Sequence, residues 1–126
     1  MDVFNMSSIK HFLIVDDSRL TRMIIAKIVS EHYQQWQISH AHDAQSAVEM
    51  VKSQSFDFIS LDHNMPDVTG LTILPDIQHH QPNAHIGVFT ANIQRVMRQR
   101  VASHGVSFYP KPINEAMVLR FIGEAN

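Results

Sequence analysis

Short apolar runs punctuate the chain, and segments with helical spacing separate them. The clearest runs are His11-Phe12-Leu13-Ile14-Val15, Phe56 to Leu61, Ile86-Gly87-Val88-Phe89 and Val106-Ser107-Phe108-Tyr109. Apolar runs this short read as strands rather than helices. Trp36 to Ala41 alternates weakly and supplies a fifth candidate. After the first run, Leu20, Ile24, Ile25, Ile28 and Val29 recur at three and four residues, which predicts a helix from Ser18 to Tyr33. Asp43 is a suitable N-cap for a second helix through Ala44, Ala47, Val48 and Val51. A loop with Pro66, Asp67 and Gly70 opens a third through Leu71, Ile73, Leu74 and Ile77, with Pro75 interrupting its hydrogen bonding. Ile93, Val96, Met97 and Val101 predict a fourth, closed by Gly105. Asn114 caps a fifth through Met117, Val118, Phe121 and Ile122. Strict alternation of strand and helix predicts a parallel sheet with helices on both faces.

The ends of the runs carry the chemistry. The first runs into Asp16-Asp17, Phe56 to Leu61 runs into Asp62, and Ile86 to Phe89 into Thr90; Lys111 follows the last run closely. In an open parallel sheet the carboxyl ends of the strands share one edge, and ligands bind there. Residues from position 16 to position 111 are therefore expected in one cleft.

Composition narrows the setting without choosing the function. The chain has 126 residues, enough for one domain with a real core. A net charge of -2 gives no bulk-charge case for nucleic acid or membrane binding. Cysteine is absent, which excludes a disulfide framework and thiol catalysis. Met1 to Met6 lacks a basic start followed by an apolar stretch, and no apolar run approaches the ~20 residues of a membrane helix. A cytoplasmic, soluble protein is the expectation.

Asp16, Asp17 and Asp62 crowded together repel one another unless a cation intervenes. Mg²⁺ suits such a cluster, since it binds through carboxylates, waters and phosphate oxygens. A carboxylate so placed is a candidate nucleophile toward a phosphoryl donor, forming an aspartyl phosphate. Lys111 would offer a point charge to the phosphoryl oxygens and Thr90 a hydroxyl donor.

The motifs Val15-Asp16-Asp17-Ser18, Asp62-His63-Asn64-Met65-Pro66-Asp67-Val68-Thr69-Gly70, Thr90-Ala91 and Lys111-Pro112, in this order and spacing, resemble the receiver domains of two-component response regulators. The resemblance covers Lys10 to Ala125 and includes the single-domain chemotaxis regulators. It implies a flavodoxin-like, doubly wound, five-stranded parallel sheet of order 2-1-3-4-5, an order for which a member of this family is a standard example. It implies a single receiver domain over 1–126, with its core at about 10–125, and no output domain. It implies Asp62 as phosphoacceptor, and Mg²⁺, with Mn²⁺ as a substitute, held by Asp16, Asp17, Asp62 and the Asn64 backbone carbonyl. Thr90 and Lys111 would contact the phosphoryl group, Thr90 and Phe108 would form the switch, and Lys111-Pro112 would be cis.

The implied donor is a phosphohistidine on a histidine kinase or a histidine phosphotransfer protein. The implied output face carries Ile93, Arg95, Arg98, Phe108 and Met117 and engages a downstream target protein of unknown identity. Arg19, Leu20, Arg22 and Met23 make a candidate kinase-docking face, because Leu20 and Met23 lie off the buried stripe of the first helix. The expected protein is a monomer and a signalling receiver rather than an enzyme, with neither nucleic acid nor membrane as partner.

Several positions depart from the commonest receiver pattern. His63 follows the phosphoacceptor, where an apolar residue is more usual, and either overhangs the cleft or points to solvent. Asn64 and Asn92 hold the rim positions that influence phosphoryl lifetime, and neither is a general base. Phe108 lacks the hydroxyl a tyrosine would bring to a switch, and Pro110 makes Lys111 a residue between two prolines. The nine histidines lack the spacings of a structural zinc site and read as scattered surface residues.

Three other readings remain: a phosphorelay shuttle, a non-phosphorylated pseudo-receiver that only binds, and a haloacid-dehalogenase-type phosphatase. The last places its nucleophile after the first strand and its acidic pair late in the chain, the reverse of the order here.

Overall fold

The computed structural model describes residues 9–125. Met1 to Met6, where the sequence shows no basic start followed by an apolar stretch, lie outside the described residues, as does Asn126. Five strands alternate with five helices: β1 (His11–Val15), α1 (Arg19–His32), β2 (Gln37–Ala41), α2 (Ala44–Ser53), β3 (Phe58–Asp62), α3 (Gly70–His80), β4 (His85–Thr90), α4 (Arg95–Ser103), β5 (Ser107–Pro110) and α5 (Glu115–Gly123). The strands form one parallel sheet in the order β2-β1-β3-β4-β5. The fold class and strand order expected from the sequence are those observed.

Alternate side chains of each strand enter opposite layers, so a continuous apolar run serves two cores. Leu13, Val15, Ile59, Leu61, Ile86 and Val88 pack with Ala47 and Val51 of α2, Leu74 and Ile77 of α3, and Met97 and Val101 of α4. Phe12, Ile14, Phe58, Phe89 and Tyr109 pack on the other face with Ile25, Ile28 and Val29 of α1 and Val118, Phe121 and Ile122 of α5. The second layer is aromatic: Phe121 stands edge-on to Phe12, Phe58, Phe89 and Tyr109. At its margin Trp36 stacks between Tyr33 and Phe58, with centroids 3.9 and 5.2 Å away.

Caps fix the helix ends. Asp43 accepts from the Ser46 N–H and Asn114 from Met117, so α2 and α5 start where the sequence places their caps, and Ser18 caps α1 by accepting from the Thr21 N–H. Gly105 turns the chain after α4 with a φ of 74°, a conformation that favours glycine. Pro75 lies inside α3, and Lys111-Pro112 is cis, both as expected. Two details differ. Ile24 and Val96, read as buried helix positions, are 38% and 64% exposed. Ile93 precedes α4, whose buried side consists of Met97 and Val101 alone. The short α4 covers its layer with one pair of side chains, which leaves Val96 facing outward.

Gly87 marks the tightest point of the aromatic layer. A Cβ there would lie 2.7 and 2.8 Å from Phe121 ring carbons and 2.9 Å from Tyr109. Phe121 and Tyr109 are fully buried and have no room to retreat. Gly87→Val should therefore cost about 1–3 kcal/mol by overpacking. Urea denaturation measures this, and an unchanged midpoint would show that the layer accommodates the side chain.

Candidate functional site

Parallel pairing places the ends of β1, β3 and β4 on one rim, and the loop after β5 joins them. Asp16 follows Val15, its N–H donating 3.0 Å to the Ala41 carbonyl at the end of β2. Its Oδ1 accepts from the Ser18 N–H at 2.9 Å, which turns the chain into α1. Asp62 closes β3, and its Oδ1 accepts from the Asn64 N–H at 3.2 Å. Both residues are 2% exposed, whereas Asp17 is exposed. Gly70 backs the rim closely: a Cβ there would lie 2.3 Å from the Asp62 carbonyl oxygen.

Lys111 joins the two buried carboxylates. Its N–H donates 2.9 Å to the Thr90 carbonyl, which continues the β4–β5 pairing beyond Pro110. Its Nζ lies 2.9 Å from Asp16 Oδ2 and 3.2 Å from Asp62 Oδ1. Thr90 is fully buried, and its Oγ1 accepts from the Asn92 N–H at 3.1 Å. The rim thus gathers Asp16, Asp17, Asp62, Thr90 and Lys111 as the sequence reading required.

The electrostatics follow from the burial. Desolvation raises the Asp62 pKa from 3.8 to about 6, the Asp16 charge adds to the rise, and Lys111 opposes it. Burial pulls the Lys111 pKa down, but the hydrogen bond and charge of Asp16, with Asp62 behind them, more than offset it. Carboxylate oxygens of Asp16, Asp17 and Asp62 all lie within 4.8 Å of one another. Three carboxylates against one ammonium leave two negative charges uncompensated, and every donor is a hard oxygen. That set fits a divalent cation such as Mg²⁺.

Other singled-out residues sort differently. His63 does not point to solvent: it is 6% exposed, with its backbone N–H 3.3 Å from the Phe89 carbonyl. Burial lowers its pKa, with the Arg100 charge contributing. Leu20 and Met23 are 67% and 56% exposed, as read from the helical stripe. Arg22, grouped with them, instead turns inward and donates from Nη1 to the Asp16 carbonyl at 2.6 Å. Nothing in the sequence signalled that contact, because it depends on how α1 leaves the Asp16 turn. On the other flank, Arg98 lies 4.7 Å over the Phe108 ring, and its Nε donates to the Ile93 carbonyl at 3.2 Å. Ile93 and Arg95 are exposed, while Phe108 and Met117 are half-buried. Among the described residues, Asp16, Asp17 and Asp62 are the only group of three or more such side chains close enough together to share a metal ion.

Residues 12–122 match the pattern of the response regulator receiver domain. The chain belongs to that family. A relative along its full length is the chemotaxis protein CheY of Thermotoga maritima, 28% identical over 118 residues, covering 93% of this chain and 98% of the relative. A protein-glutamate methylesterase/protein-glutamine glutaminase of Shewanella oneidensis is 34% identical over 102 residues, 79% of this chain. The receiver chain spans only 29% of that relative's length. Among solved structures, a CheX-CheY-BeF3-Mg²⁺ complex from Borrelia burgdorferi aligns with a TM-score of 0.85 at 27% identity, covering 95% of this chain and 92% of that one. A Burkholderia pseudomallei response regulator, solved with a phosphorylated aspartic acid, calcium and citrate, aligns with a TM-score of 0.80 at 23% identity, covering 87% of this receiver and 64% of that chain. Among the described residues, no helix is long and apolar enough to cross a membrane.

The raised Asp62 pKa has a consequence for this receiver's stability. A folded value above the unfolded one means that ionising Asp62 costs stability as pH rises from 3.8 through about 6. In metal-free buffer Asp62→Asn, which cannot ionise, should be more stable than wild type at neutral pH by on the order of 1–3 kcal/mol. The difference should vanish once pH falls below 3.8, where the folded and unfolded carboxyl are both protonated. Urea titrations across this range check it, and a pH-independent difference would assign the effect to packing instead.

Proposed function

We propose that this receiver takes a phosphoryl group from a phosphohistidine onto Asp62 and signals through protein–protein contact. The observation that carries the reading is the position of Lys111 Nζ, 2.9 Å from Asp16 and 3.2 Å from Asp62. Asp62 is the nucleophile: a carboxylate oxygen forms the new P–O bond as the P–N bond of the donor breaks. Burial and the Asp16 charge hold that oxygen more basic than an ordinary carboxylate. Lys111 shifts from bridging two carboxylates to pairing with the incoming phosphoryl oxygens, and the Thr90 hydroxyl donates to one of them. Asp16, Asp17, Asp62 and the Asn64 carbonyl would hold Mg²⁺, or Mn²⁺ in its place. Bound there, the cation neutralises charge on the carboxylates and the phosphoryl group. Asn64 and Asn92 offer attacking water no general base, so the protein catalyses its own phosphorylation and only slow dephosphorylation.

Thr90 and Phe108 would communicate the change to the face formed by Ile93, Arg95, Arg98, Phe108 and Met117, where a target protein docks. Phe108 has no hydroxyl, so its movement is governed by packing and by the guanidinium of Arg98 above it. Arg19, Leu20 and Met23 would meet the kinase or phosphotransfer protein, with Arg22 supporting the Asp16 turn behind them. A phosphorelay shuttle would use the same site residues and differ only in passing the group onward.

Acetyl phosphate with Mg²⁺ should phosphorylate the wild-type protein but not Asp62→Asn, as read by phosphate-affinity electrophoresis. Equal shifted bands in both would reject Asp62 as acceptor. Mg²⁺ should also raise the wild-type melting temperature through binding to the native state. Asp17→Asn should remove that rise while leaving the metal-free protein at least as stable; an intact Mg²⁺ response would take Asp17 out of the coordination sphere.

A further inference from the structure

The β3–α3 loop, residues 63–69, carries Asn64, and its exposed residue Asp67 reaches across to a different helix. Asp67 Oδ1 accepts from the Ala44 N–H at 3.1 Å, and Oδ2 accepts from the Gln45 N–H at 3.1 Å. Oδ1 also accepts from the Val68 N–H at 3.0 Å within its own loop. Ala44 and Gln45 are the first two residues of α2, and Asp43 supplies the third bond by accepting from the Ser46 N–H at 2.8 Å. Helix α2 therefore draws its N-terminal acceptors from two sources, one within its own chain segment and one from the loop beside the acidic cluster.

These contacts close a ring around the cluster. Asp16 donates to the Ala41 carbonyl, and Ala41 ends β2 two residues before Asp43. The first turn of α2 binds Asp67, which lies three residues beyond Asn64. Asn64 donates back to Asp62, and the Gly70 N–H closes the loop on the His63 carbonyl at 2.8 Å. Without Asp67, the loop is tied at its two ends only, and the segment between them lacks its bond to the β2–α2 junction.

We propose that Asp67 is a positioning residue: by clamping the loop to α2, it holds the Asn64 carbonyl in register with Asp16, Asp17 and Asp62. The proposal rests on the reading of those groups as the metal site. Groups that orient a metal's ligands typically change metal affinity by 10–100-fold when removed. Here the ligand held is a backbone carbonyl, and its orientation depends on the path of the whole loop.

Calorimetric Mg²⁺ titration of the intact protein separates positioning from helix stability. Asp67→Ala should weaken Mg²⁺ binding by roughly tenfold. Asp43→Ala removes a cap from the same helix and breaks no hydrogen bond to the loop, and it should leave Mg²⁺ affinity at the wild-type value. Asp67→Asn keeps one acceptor oxygen and should fall between wild type and Asp67→Ala. Should either alanine variant fail to fold, Asp67→Asn against Asp43→Asn carries the same comparison. Wild-type affinity in the Asp67 variants, or an equal loss in the Asp43 variants, would overturn the clamp while leaving the metal site standing. Wild-type protein that binds no Mg²⁺, or binding that survives Asp17→Asn, would overturn the metal site and the clamp with it.

Discussion

One ammonium between two buried carboxylates organises the rim of this molecule. Asp16 and Asp62 are 2% exposed, and Lys111 lies within 3.2 Å of both. Burying such charges is costly unless they are paired and hydrogen-bonded. The supporting contacts supply those bonds: Ser18 and Asn64 donate to the carboxylates, Arg22 holds the Asp16 carbonyl, and the backbone of Lys111 extends the pairing with β4. With one positive charge among three negative ones, the arrangement remains electrostatically incomplete. The same incompleteness makes the rim receptive to a cation.

Beneath the rim the sheet acts as a stiff platform with two differently built sides. The layer under α2, α3 and α4 is mostly aliphatic, whereas that under α1 and α5 is centred on Phe121 and its surrounding rings. Outward-facing apolar side chains collect in two places, Leu20, Met23 and Ile24 on α1 and Ile93 with Val96 around α4. The first lies on α1 and the second at the start of α4, helices that pack on opposite faces of the sheet.

Much of this was legible because it follows from periodicity and chain order. Apolar runs gave the strands, the caps Asp43 and Asn114 marked two helix starts, and the strand-end rule gathered residues separated by up to 95 positions. What stayed hidden depends on angles that no local pattern encodes. Arg22 shares the docking face's sequence character, yet its inward turn is decided by the path from Asp16 into α1. Asp67 read as a loop residue after Pro66, and its bond to Ala44 lies 23 positions away. His63 is polar, yet it takes a buried place. The receiver resemblance anticipated an apolar residue at that position, and the position is buried; it is the side chain that differs.

The stack of Tyr33, Trp36 and Phe58 decides what light can report about this protein. Trp36 is the sole tryptophan, so near-ultraviolet emission is dominated by a single place in the molecule. Its neighbour Phe58 begins β3, while Asp62 ends it, and four strand residues span roughly 13 Å. The intrinsic fluorophore therefore watches the pole opposite the acidic rim. Emission is well suited to following unfolding, since it senses the seam between the α1–β2 turn and the sheet. Events among the carboxylates call for a reporter of their own, introduced on the rim or read by heat, mass or magnetic resonance.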